Sequence, residues 1–198
     1  MESFSQKGAN MTRVIGAVGQ NGSGKDEVLK YLKSTYGIPF FSTGDMVREI
    51  ASKEGVELTR DNLRSISERY FRENGEGCFV RLLAEHIIKE DPPIVGISGI
   101  RSLPDVTILR TIFGTNFVLI AVTVKDPKLR YSRMVARAEE RDPASYEQFL
   151  AQDQAEEKLF HMNAAVQSAD YRISNDGTLA DLHKAIVDTL AHQESIFH

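Results

Sequence analysis

Apolar positions along the chain follow two habits: short unbroken runs, and longer stretches in which they recur every three or four residues. The run at 14–18 is short, apolar and followed by glycines, as a strand buried on both faces requires. Short segments at 38–41, 94–97, 117–124 and 171–174 predict four more strands, with 117–124 the strongest signal. The stretch from Asp26 to Tyr36 sets Val28, Leu29 and Leu32 on one face and stops at Gly37, which predicts a helix. Further helices are expected from a cap at Ser42 or Thr43 to about 54, from a cap at Thr59 to about 73, and over about 77–90. Pro92-Pro93 breaks the pattern ahead of the third strand. Pro104 opens a helix to 113, and Asp126-Pro127 opens one to about 140. Helical spacing continues over about 145–167, and a last helix runs from Thr178 to about 192. Strands separated by helices imply an α/β three-layer fold with a five-stranded parallel sheet. The long helical stretch after the second strand, about 42–90, predicts an insertion that covers a substrate.

Composition narrows this picture. A length of 198 residues without repeats or a low-complexity linker suits one domain, over 12–198. Residues 1–11 have no apolar signal core and are read as a disordered leader. No apolar run reaches the length of a membrane span, so the expected compartment is the cytoplasm, with no membrane partner. The net charge of −4 argues against a general nucleic-acid binder and leaves small molecules as the expected partners. Cys78, the single cysteine, excludes an intrachain disulfide and a cysteine zinc cluster. Beside Phe79 and Val80 it reads as a buried apolar residue. The five histidines show no metal-ligand spacing, and His86 reads as packing or surface.

The strongest chemical signal is Gly19-Gln20-Asn21-Gly22-Ser23-Gly24-Lys25, which follows a predicted strand and opens a predicted helix. That context is what a phosphate loop needs, because glycines let backbone N–H groups turn inward and the helix N-terminus favours anions. Gly19, Asn21, Gly22, Ser23, Gly24 and Lys25 are therefore candidates for binding ATP, with Lys25 on the β- and γ-phosphates. Asp26 stands where serine or threonine usually follows the lysine. It offers an oxygen ligand to Mg2+; its other reading is an acid favoured by the helix dipole.

The segment Phe41-Ser42-Thr43-Gly44-Asp45-Met46-Val47-Arg48 resembles the acceptor-binding segment of adenylate kinases and related nucleoside-monophosphate kinases. The resemblance implies that Thr43 and Arg48 contact the acceptor and that Asp45 lies near the reacting phosphates. Gly96-Ile97-Ser98-Gly99-Ile100-Arg101 is similar to that family's third strand and the arginine beyond it, which implies an acceptor-phosphate clamp at Arg101. The family's usual aspartate on this strand is replaced by Ser98. Acid and hydroxyl thus look exchanged between Asp26 and Ser98, which together are expected to hold Mg2+; the alternative is a lost magnesium site.

Arg130, Arg133, Arg137 and Arg141 follow in one predicted helix, the last three in a single stripe. The resemblance implies a short lid over about 137–169, with Arg133 and Arg137 over the triphosphate and Arg141 matching less well. The competing reading is a solvated face paired with Glu139 and Glu140. The catalytic candidates are Lys25, Asp45, Arg101 and Arg137. Residues 169–178 resemble the final strand and turn of dephospho-coenzyme A kinases. Adenylate-kinase-related proteins share the loop from Gly22 to Glu27 and the Gly-Ile-Arg turn. Phosphomevalonate kinases and phage deoxynucleotide kinases likewise place aspartate after the loop lysine.

Three functions remain open at this point. The first is transfer of the γ-phosphoryl of ATP to a small phosphate-bearing acceptor, with a nucleoside monophosphate foremost. The second is phosphorylation of a hydroxyl, as dephospho-coenzyme A kinases perform, with Asp45 as base. The third is a nucleotide-binding regulatory protein with little turnover.

Overall fold

The apolar run Arg13–Val18 (β1) forms the middle of a five-stranded, all-parallel sheet ordered β2-β3-β1-β4-β5. The other strands are Phe40–Ser42 (β2), Ile94–Ser98 (β3), Phe117–Thr123 (β4) and Tyr171–Ser174 (β5). The computed structural model describes residues 12–137 and 143–191. The expected leader, the end of the last helix, and Glu139, Glu140 and Arg141 lie outside the described residues. Helices run in chain order as Lys25–Tyr36 (α1), Thr43–Lys53 (α2), Arg60–Asn74 (α3), Cys78–Glu90 (α4), Leu103–Phe113 (α5), Pro127–Arg137 (α6), Tyr146–Phe160 (α7), Met162–Gln167 (α8) and Leu179–Ala191 (α9). Among the described residues, no helix is long and apolar enough to cross a membrane.

Parallel strands need crossovers, and the crossovers bury both faces of the sheet. Successive residues of β1 therefore serve different cores. Ile15 and Ala17 meet Val28, Leu29 and Leu32 of α1 and Leu182, Ile186 and Leu190 of α9. Val14 and Val18 join Val80, Leu83 and Ile87 of α4, Val106 and Leu109 of α5, and Ala165 of α8. Cys78 is buried with them, as expected of a small apolar side chain. A third, smaller core belongs to the insertion itself: Val47, Ile50 and Ala51 of α2 against Ile66 of α3.

Two boundaries differ from the sequence pattern. The second strand begins at Phe40 rather than 38, because Gly37 takes a left-handed turn and the N–H of Ile38 still bonds Leu32 O of α1. The helical run expected over 145–167 breaks at His161, a left-handed residue (φ 48°) whose N–H closes α7 onto Glu157 O. Periodicity is blind to such a break, because apolar spacing continues across it.

The architecture brings the carboxyl ends of β1, β3 and β4 together, and the loops that leave them form one surface. Leu109 is fully buried on the sheet face away from α1. Leu109→Ala should cost about 2–5 kcal/mol in urea unfolding with an unchanged m-value, as a cavity in a shared core does.

Candidate active site

The chain leaves β1 at Val18, turns through the glycine-rich loop and enters α1 at Lys25. Ser23 N–H bonds back to Gln20 O (3.1 Å), which rounds the loop. Gly22 (φ 75°) and Gly24 (φ 92°) both adopt left-handed backbone. A Cβ at Gly22 would lie 2.5 Å from Arg130 O, and one at Gly24 would lie 2.5 Å from Asn175 Nδ2, so side chains are excluded twice over. Gly24 is the N-cap of α1 and supplies no side-chain acceptor, which leaves the first N–H groups of the helix to an anion.

Lys25 is half-buried at this helix start. Desolvation pulls its ammonium below the ordinary lysine value; Asp26 and Glu156 oppose the fall, and Arg101 and Arg137 add to it. A cavity of ≈270 Å³ opens beside the loop, lined by Gly22, Gly24, Lys25, Asp26, Glu27, Arg133, Met134, Arg137, Asn175, Leu179 and Leu182 among others. Loop, lysine and both lid-helix arginines thus face one space.

Asp26 and Ser98 meet. Ser98 Oγ, at the end of β3, donates to Asp26 Oδ1 at 2.6 Å. The register of β2 against β3 also sets Ser42 beside Ser98, so α2 starts next to this pair.

At the start of α2, Ser42 is the N-cap and Asp45 closes the capping box. Thr43 Oγ1 donates to Gly99 O (3.4 Å), joining the start of α2 to the turn that carries Arg101. Asp45 accepts from Ser42 N (2.7 Å), from Ser42 Oγ (2.8 Å) and from Arg48 Nη2. Burial alone would raise the Asp45 carboxyl, but donation from Arg48 and Ser42 outweighs it and holds the group below the usual carboxylate range. Arg101 is anchored through its backbone N–H to Asp105 (2.9 Å), and its guanidinium lies over the Phe160 ring, 5.4 Å from the centroid.

The arginines of α6 divide their tasks. Arg130 is buried, paired with Asp153 through two hydrogen bonds of 2.7 Å, and bonded to Asn21 O at 3.2 Å. Arg133 donates to Asn175 O (2.8 Å) and Gly177 O (2.9 Å), gripping the turn after β5. Phe41 stacks edge-on against His86 (4.8 Å), so that histidine packs.

The chain matches the family model of an AAA domain over residues 18–150. A UPF0200 protein of Thermococcus onnurineus is 34% identical over 165 residues, 82% of this chain and 88% of the relative. The chain belongs to the UPF0200 family. A UPF0200 member from Methanoregula boonei is 33% identical over 181 residues, 91% of this chain and 97% of its own. Among solved structures, a gluconokinase from Sinorhizobium meliloti superposes with a TM-score of 0.59 at 15% identity, covering 96% of this chain and 97% of its own. A shikimate kinase from Acinetobacter baumannii in complex with shikimate gives 0.54 at 17%, covering 92% and 95%. At such identities the likeness concerns the fold, and the UPF0200 chain has the phosphate-loop kinase fold.

The most consequential side chain that the sequence pattern did not single out is Asn175. It is buried, its Nδ2 donates to Ser23 O (2.9 Å), its N–H donates to Thr123 O (2.8 Å), and its carbonyl receives Arg133. One asparagine thus ties the phosphate loop, β4 and α6 together. Its signal in the sequence is faint: a polar residue directly after the last strand, ahead of Asp176-Gly177.

Asn175→Ala should leave the buried Ser23 carbonyl without its donor, costing about 1–3 kcal/mol of stability in denaturant titrations and weakening nucleotide binding. Lys25 generates a second expectation. Its free pKa is depressed, and a bound triphosphate restores the charged form. Binding should therefore take up protons on the alkaline side, and affinity should fall as pH rises through the lowered pKa. ATP titration calorimetry in buffers of differing ionisation enthalpy measures this directly, and heats independent of buffer would contradict it.

Proposed function

We propose that this UPF0200 chain transfers the γ-phosphoryl of ATP to a small acceptor that already carries a phosphate, with a nucleoside monophosphate the foremost candidate. The observation that carries the reading is the state of Asp45. A base for a hydroxyl acceptor needs a free carboxylate with a raised pKa. Asp45 instead holds three donors and a lowered pKa. A phosphate acceptor is already an anion and needs no such base; it needs cations, and Arg48 and Arg101 stand on the two segments that the Thr43–Gly99 hydrogen bond joins.

The proposed division of labour follows from placement. The loop amides and Lys25 hold the donor phosphates, and Arg133 and Arg137 flank them on the cavity side. Guanidinium groups suit the acceptor because they meet two phosphate oxygens at once and stay charged at working pH. Arg101 lies near enough to Lys25 to depress it, so the acceptor clamp and the donor lysine share one electrostatic field. Two anions brought together there are neutralised by residues fixed beforehand, which is the main demand of phosphoryl transfer.

The pair Asp26 and Ser98 fits magnesium. Among the described residues no group of three or more acidic, histidine or cysteine side chains forms. One carboxylate and one hydroxyl suit a cation that draws its other oxygens from phosphates and water. Asp26 and Ser98 would hold it, and its chemistry there is to screen the charge of the transferring group.

The test is phosphoryl transfer from ATP across an acceptor panel: nucleoside monophosphates, gluconate, shikimate and dephospho-coenzyme A. Turnover is expected with a monophosphate, and Asp45→Asn should change kcat by less than about tenfold, since no proton is taken there. Transfer only to a hydroxyl, abolished in Asp45→Asn, would replace this reading with the base-catalysed one. In the same assay Asp26→Ser should lose magnesium-dependent rate, and adding Ser98→Asp should recover part of it. Strictly additive losses would mean that the two positions do not act on one cation.

A further inference from the structure

Helix α7 carries Phe149, Asp153, Glu156 and Phe160 at spacings of four, three and four, which places them on one face. Together they meet three parts of the site. Phe149 lies under the Arg130 guanidinium (5.0 Å to the centroid), and Asp153 pairs with that same arginine at 2.7 Å. Glu156 receives the side-chain amide of Asn21 on both carboxylate oxygens, each at 2.9 Å. Phe160 meets the guanidinium of Arg101. A single helix face therefore runs from α6, across the tip of the phosphate loop, to the arginine on the acceptor side.

The first turn of the helix is held by a ring cluster, in which Tyr146 and Phe149 meet Tyr131 of α6 at 5.5 and 5.7 Å. Phe149 is the buried residue of α7, and most of its other positions are half-buried or exposed. Beyond that first turn, its position rests on the contacts of Asp153, Glu156 and Phe160 with groups that belong to the site. Glu156 is the notable member, because it brings a carboxylate to a loop whose amides and lysine favour anions. Its charge reaches Lys25 and raises that group against the desolvation that lowers it.

We propose that Glu156 is a built-in competitor of the nucleotide: its carboxylate and the terminal phosphates of a triphosphate exclude one another at Asn21 and Lys25, and α7 is the strap that delivers it. This rests on the reading of the loop as a triphosphate site. Like charges at short range in a half-buried setting repel strongly, so a triphosphate entering beside Lys25 must move Glu156 away. Withdrawing Glu156 moves the whole stripe, since Asp153 and Phe160 share its helix. Donor binding would thereby release Phe160 from Arg101 and open the guanidinium to an acceptor. The order of events is donor first, acceptor second, with the helix as the link.

The experiment measures ATP affinity by calorimetry, with and without magnesium, in the full chain, in Glu156→Gln, in Glu156→Ala and in Lys25→Ala. Both Glu156 substitutions should tighten ATP by about fivefold or more, because a repelling charge is removed from a loop that still has its cation. Unchanged or weaker affinity in both, with Lys25→Ala still abolishing binding, overturns the competitor role and leaves the triphosphate site intact. Weakening confined to the magnesium arm overturns it too, and makes Glu156 a contributor to the cation. If Lys25→Ala binds ATP as the full chain does, the site itself is wrong and the proposal falls with it. Backbone hydrogen exchange of Tyr146–Phe160 supplies a readout independent of the substitutions. Exchange should quicken when ATP is added to the full chain, and slower exchange overturns the displacement of α7.

Discussion

A loop with three glycines in seven residues has little to hold it beyond one internal hydrogen bond, and the donation from Asn175 Nδ2 to Ser23 O supplies a hold from outside. The property that lets backbone N–H groups converge on an anion also leaves the segment without side chains to pack. Each unit of freedom therefore needs an external restraint. Arg130 O crowds Gly22, Asn175 crowds Gly24, and the Arg130 side chain bonds Asn21 O. Because Asn175 follows β5 and Arg130 and Arg133 belong to α6, the loop's shape depends on the sheet order that sets β5 beyond β4. Fold and site are thus one problem: the topology exists to bring remote restraints to a flexible turn.

Much of this was legible in the sequence because it was local. The glycine loop lies within seven consecutive residues, and the capped start of α2 within four. The three central strands announced themselves as apolar runs, since a strand buried on both faces has no polar side to disguise it. At the sheet edge, by contrast, β5 mixes Arg172 and Ser174 with Tyr171 and Ile173. The meeting of Asp26 and Ser98 was legible too, although 72 residues separate them, because the loop and the third strand have a fixed relation in the fold that the motif implies.

What escaped was non-local and chemically ordinary. Glu156 is one acid among several on an exposed helix, and nothing in its neighbours distinguishes it from a solvating charge. Arg130 stood outside the stripe of Arg133, Arg137 and Arg141, and its spacing named no partner. The structure buries it against Asp153 and Phe149, while Arg133, one turn later, grips the turn after β5. The partners of Asp45 also count against a base, since a carboxylate that closes a capping box and an ion pair is a poor proton acceptor. Helical periodicity reports which face a residue shares, and says nothing of which partner waits there.

The small separate core of α2 and α3 has a consequence for how such a chain can diversify. Val47, Ile50, Ala51 and Ile66 pack mainly among themselves, with Phe79 and Leu82 of α4 at their margin. Substitutions there alter the shape and local firmness of the α2–α3 insertion, and reach the large core on the sheet through Phe79 and Leu82. Small cores of this kind open on their own at a fraction of the global unfolding free energy. Variation can therefore accumulate at this outpost while the glycine loop beneath it keeps its restraints.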